Sequence, residues 1–149
     1  MKNLALSAAA VLAATTLTGA AVVPTMAPAA GEAKIHIKRL VSRDIASHPL
    51  SNHTFAGAAV DRNDGHIVGY ESFTGHFYPK QDRAVVWDSF ALRDGTITAV
   101  VRVKSFSDHV HRGRILTGTG KYKGATGTIK ARPAPHNADK TFITLKFHF

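Results

Sequence analysis

ILTGTGKYKGATGTIK, residues Ile115 to Lys130, is the most informative stretch of this chain. An apolar pair, Ile115-Leu116, enters it, and Gly118, Gly120, Gly124 and Gly127 crowd its middle. Glycines at this spacing mean that the backbone bends, or meets another backbone closely, more than once within a short connection. Gly-rich loops also cradle phosphates, but the spacing here is not that of a P-loop and no helical pattern follows, which argues against a nucleotide site.

The flanking sequence is strand-like in both directions. Lys34 to Val41 alternates Ile35 and Ile37 with polar neighbours and is expected to form a first strand, followed by a loop from Ser42 to Asn52 that contains Pro49. Thr54 to Asp61 reads as a second strand whose Ala-Gly-Ala-Ala interior leaves space for something bulky opposite. Arg62-Asn63-Asp64-Gly65 is a hairpin turn, because Asp-Gly tolerates positive φ. His66 to Tyr78 is the third strand, stopped by Pro79. Ala84 to Leu92 and Thr96 to Phe106 are the fourth and fifth, joined at Arg93-Asp94-Gly95. Arg114 to Thr117, Thr126 to Arg132 and Thr141 to His148 complete the set. Eight short strands in one small domain predict an all-β fold, an eight-stranded antiparallel β-barrel with a central apolar cavity, since closure removes aggregation-prone edges.

The segment GTGKY-x-GA-x-G (Gly118 to Gly127) between two apolar strands resembles the signature of the allene oxide cyclase and dirigent barrel superfamily. VGYESFTGHF (Val68 to Phe77) and SFALRDGTITAVV (Ser89 to Val101) are similar to its third strand and to its central hairpin, and the closing TFITLKFHF fits its last strand. The resemblance implies an antiparallel barrel around a hydrophobic cavity, assembled as a trimer or another homo-oligomer such as a dimer. It implies activity by confinement: a dry, shaped cavity holds one conformer of a small hydrophobic molecule, so that ring closure or coupling follows a single course. There are two departures. The cyclases' first-strand acid would fall near Arg39 to Val41, where none stands, and Ala125-Thr126-Gly127 replaces an Ala-Arg-Gly common in dirigent proteins. A secreted bacterial-type member is the expected placement.

Composition narrows the setting. In a chain of 149 residues, Met1-Lys2 followed by the apolar run Leu4 to Leu17 and the small residues around Ala27-Pro28-Ala29 reads as a secretory signal peptide over residues 1–30. The barrel domain then occupies 31–149, with the cut between Ala29 and Ala33. The chain has no cysteine, so a protein expected outside the cell would fold without disulfides. A formal charge of +9 is scattered rather than blocked and lacks interleaved aromatics, which suits a solvated exterior better than nucleic-acid binding. No integral membrane segment and no cofactor are expected.

Side-chain alternation then nominates site residues. Placing a two-residue turn at Asp94-Gly95 pairs Leu92 with Ile97, Phe90 with Ala99, Asp88 with Val101 and Val86 with Val103 on one face. The other face holds Trp87 opposite Arg102 as an outer-wall cation–π or subunit contact. Asp88 is the lone carboxylate on an apolar face, which is costly without a partner or a proton. On the third strand Ile67, Gly69, Glu71, Phe73, Gly75 and Phe77 share a face, giving Glu71 as a second inward acid; the opposite alternation would put Tyr70, Ser72, Thr74 and His76 inside. Asp88 and Glu71 are thus the candidate catalytic acids, and Phe73, Phe77, Phe90, Leu92, Ile97, Val101 and Tyr122 the candidate ligand-binding residues. His109 and His111 have acceptable metal-ligand spacing, but no further ligands can be named and no metal is expected. Two function classes remain. One is a secreted barrel that cyclises or stereochemically steers a hydrophobic substrate. The alternative is a non-enzymatic basic barrel that binds lipid, a hydrophobic metabolite or a cell-wall polymer.

Overall fold

In a computed structural model that describes residues 33–104 and 109–149, strands form in chain order: β1 (His36–Pro49), β2 (Thr54–Asn63), β3 (His66–Tyr78), β4 (Arg83–Leu92), β5 (Gly95–Lys104), β6 (His111–Gly118), β7 (Thr126–Ala134) and β8 (Asn137–His148). Each pairs antiparallel with the next, and β8 returns to β1 from His36↔Phe147 to Arg43↔Lys140, closing an eight-stranded barrel. The proposed signal peptide lies outside the described residues, as does the connection at 105–108. Among the described residues no helix is long and apolar enough to cross a membrane.

The sequence boundaries hold for β3 and come within a few residues for β2, β4 and β5, with one large exception. β1 does not stop at Val41 but runs to Pro49, through the segment expected to be a loop. A register shift between Asp44 and Ala46 breaks the alternation there, so the period-two pattern is lost while the ladder continues. Pro49 is tolerated because it stands at the strand's last position. The sixth strand likewise begins earlier than expected, at His111, and the eighth at Asn137.

The β4–β5 hairpin corrects the register. The turn is Arg93-Asp94 with Leu92 opposite Gly95, so Phe90 faces Ile97, Asp88 faces Ala99 and Val86 faces Val101. The slip is two residues, an even number, so every side chain keeps its expected face. Trp87 consequently lies opposite Val100, not Arg102, and is 44% exposed on the outer wall. On β3 the inward face is Gly69, Glu71, Phe73 and Gly75, but Ile67 points out; a register shift between Asp61 and Arg62 brings Val68 inward in its place.

The glycine-rich stretch closes one end of the barrel. Thr119 N–H donates to Thr96 O at 2.9 Å, Thr96 N–H donates to Thr119 Oγ1 at 3.0 Å, and Lys121 N–H donates to Asp94 O at 2.9 Å. This docking onto the β4–β5 turn needs Gly120, whose φ of 57° is left-handed and whose missing Cβ would strike the Asp94 carbonyl. Gly124 is also left-handed, at φ 81°, but faces open space. Below the docked segment, Tyr122 meets Phe147 edge-on at 5.8 Å, and Phe90, Ile97, Ile115, Ile129, Ile143 and Leu145 fill the barrel's interior.

Filling is confined to that end. Toward the opposite end, where the β1–β2, β3–β4 and β7–β8 connections lie, the interior stays open as a cavity of about 660 Å³. The expected space is therefore at one mouth of the barrel rather than along its whole axis.

Candidate functional site

The cavity receives side chains from all eight strands, because an up-and-down barrel turns every second residue of each strand inward. Its aromatic wall comes from β2 and β3. Phe73 lies over Gly57, and Phe55 lies over Gly75, in each case where a Cβ would collide with the ring. The two rings meet edge-on at 6.4 Å. The small second-strand residues thus do leave room for something bulky, namely Phe73. Val86, Val101, Val103, Ala131 and Ile143 supply further apolar lining.

Between this open space and the filled core runs a belt of acids on four consecutive strands. Asp61 on β2, Glu71 on β3 and Asp88 on β4 are buried, with Ser42 beside them, while Asp44 on β1 lines the cavity from an exposed position. The ladders explain the arrangement: Asp61 lies opposite Ser42 on one side and Gly69 on the other, Glu71 stands one pleat beyond Gly69, and Asp88, opposite Phe73, stands one pleat beyond that. Ser42 Oγ donates to Glu71 Oε2 at 2.6 Å. Both carboxylate oxygens of Asp61 are buried without a hydrogen bond of good geometry, because the one Ser42 proton is committed to Glu71.

The electrostatics follow from this crowding. Burial pushes Glu71 well above the usual carboxylate range, reinforced by the charge of Asp88. Asp88 is pushed up to about 7, again chiefly by burial, with a hydrogen bond from Glu71 working in the opposite direction. Both carboxyls are thus held toward the neutral form, and as neighbours they titrate together. Burial also raises Asp61, to about 6. Asp44 is raised by burial and then by the charge of Asp139.

Of the residues singled out from sequence, Asp88, Glu71, Phe73 and Val101 line the cavity. Phe90 and Ile97 do not; both are completely buried in the filled end, where they meet other side chains instead of open space. Leu92 and Tyr122 sit beyond them beside a separate groove at the closed end, with Lys38 placed 5.5 Å over the Tyr122 ring. Phe77 is half-buried and is not part of the cavity wall. His111 turns into the cavity, but His109 is exposed ahead of β6, so the two imidazoles do not form a pair. Sequence reading missed Ser42, Asp44 and Asp61, and considered His111 only as half of a metal-ligand pair. Asp61 was within reach, since it shares parity with Gly57 and Ala59 on the small-residue face of β2, whereas Ser42 and Asp44 were hidden by the irregular second half of β1.

No family model matches the chain, and no curated protein matches it. Solved structures do. A pyocyanin demethylase superposes with a TM-score of 0.61 at 17% identity over 75% of this chain and 99% of its own. The Diels Alderase AbmU from Streptomyces koyangensis gives 0.62 at 16% over 76% of this chain, which spans only 63% of that protein. The pterocarpan synthase dirigent protein GePTS1 gives 0.59 at 17% over 87% of this chain and 99% of its own. These matches show the fold: the chain has a closed eight-stranded barrel similar to those of the dirigent protein and the Diels Alderase.

Proposed function

We propose that the chain is a secreted barrel that takes a small, largely apolar molecule into its open end and cyclises it, or fixes the stereochemistry of its coupling. The observation that carries this reading is the buried Glu71–Asp88 pair in the wall of a cavity of about 660 Å³. That volume lies within the range of ligand pockets, roughly 300–1,000 Å³. A carboxyl held neutral at physiological pH donates a hydrogen bond, or a proton, to a substrate oxygen on which negative charge develops. Asp88, with a pKa of about 7, is the matching acceptor. Phe55, Phe73 and the valines exclude water and hold one folded conformer, which reduces the entropic cost of ring closure.

Binding is tested with the neutral probe N-phenyl-1-naphthylamine. One molecule per chain is expected to bind, and Val103→Trp, which fills the mouth, should weaken it by at least about tenfold. Asp88→Asn should leave the probe's affinity within about threefold while reducing any ring-closing or coupling turnover by about 100-fold or more. Retained turnover in Asp88→Asn would remove the acid pair from the chemistry. A cavity that binds ligands but turns over none would instead describe a non-enzymatic carrier.

A further inference from the structure

The acid belt has a feature that confinement chemistry does not require. General-acid assistance needs one neutral carboxyl, yet three acids (Asp44, Glu71 and Asp88) line the cavity and a fourth, Asp61, is sealed beside them with both oxygens unsatisfied. Among the described residues that line the cavity there is no lysine or arginine, although the chain carries 19 of them. The other titratable groups among its described lining residues are His111 and His136, and Asp139 adds a further negative charge near Asp44. A protein with a formal charge of +9 therefore encloses a pocket of the opposite sign. Burying carboxylates in this way is costly unless a counter-charge is brought in. The Phe55 and Phe73 rings above the belt add negative π-faces of the kind that attract cations.

We infer that the cavity selects ligands carrying a protonated nitrogen on an aromatic or otherwise apolar body, and that it rejects carboxylates and other anions. This deepens the reading of the cavity as a small-molecule site and rests on it. The cation sits against Glu71 and Asp88, with Asp61 adding its charge from behind the wall, and the apolar body lies along Phe55, Phe73 and the valines. Entry of the cation favours ionisation within the Glu71–Asp88 pair, so one proton leaves as the ligand arrives and one neutral carboxyl remains. Binding is accordingly weaker at low pH, where the acids are already protonated.

The test uses three matched probes on the full chain, by isothermal titration: 1-naphthylmethylamine, 1-naphthylmethanol and 1-naphthoate. At about pH 7.5 the amine should bind at least about tenfold more tightly than the alcohol, and the carboxylate should bind least of the three. The amine's affinity should fall by about tenfold between pH 7.5 and 5.5, a window in which the amine itself stays protonated and the alcohol's affinity should stay level. The measured enthalpy should vary with the buffer's ionisation enthalpy, reporting proton release. Glu71→Gln/Asp88→Asn should erase the preference for amine over alcohol without abolishing alcohol binding. If amine and alcohol bind equally, or the carboxylate binds best, the inference fails while the small-molecule reading stands. If none of the three binds, both fail. The wild-type probe series and its pH dependence decide the matter even if the double variant does not fold.

Discussion

At about pH 8 the Asp88→Asn protein should be more stable than the unaltered chain by roughly 2–4 kcal/mol, although it loses an ionisable group from the proposed site. The folded-state pKa of Asp88 is raised from an ordinary value of 3.8 to about 7. A group raised in this way contributes fully to stability below the unfolded pKa and loses that contribution as pH rises through the folded pKa. The window is therefore about pH 4 to 7, and above it the folded state holds a buried carboxylate next to Glu71 and Asp61. An asparagine of nearly the same shape still accepts the hydrogen bond from Glu71 but carries no charge. The advantage should shrink toward pH 4, where Asp88 is protonated in the folded chain. Urea unfolding at pH 4 and pH 8 checks this, and a substitution that destabilises equally at both would show that Asp88 is ionised and satisfied in place.

Phe90→Ala should destabilise by about 3–5 kcal/mol at any pH in that range. Phe90 is completely buried, opposite Ile97 and within a cluster that includes Leu145 and Ile143. Removing its ring empties space in the closed end, where a barrel strapped by β-ladders cannot collapse to refill it. The midpoint of urea unfolding reads the loss. A loss below about 1 kcal/mol would mean that the ring already borders open space, as the sequence alone suggested.

Phe90 illustrates where the sequence stops being informative. Alternation placed it correctly on the inward face, together with Ile97, Val101 and Asp88, because period two is a local property of an extended chain. Whether an inward residue meets a ligand or another side chain depends on its height along the barrel axis. That height is set by the register between strands, and a two-residue slip at the Arg93-Asp94 turn was invisible to parity. Asp88 and Glu71 were legible for a different reason: a carboxylate on an apolar face stands out in one strand at a time. That they titrate together, and that Asp61 and Asp44 lie near them, depends on four strands lying side by side. The second half of β1 was opaque because its bulge destroys the alternation that would have announced Ser42 and Asp44. The glycine-rich stretch, by contrast, was read for what it is. Gly120 takes the left-handed conformation that lets Thr119 and Lys121 dock on the β4–β5 turn and seal the barrel's end.

Carboxyl-carbon NMR across a pH titration tests whether the cavity wall holds a buried acid pair that titrates as one system. With Glu and Asp labelled at their carboxyl carbons and assigned by Glu71→Gln and Asp88→Asn, the Asp88 resonance should shift with a midpoint of about 7. The Glu71 resonance should remain that of a protonated acid to higher pH still, moving with Asp88 as one coupled system. Independent midpoints near 4 for both residues, the range of ordinary exposed carboxylates, would contradict the account.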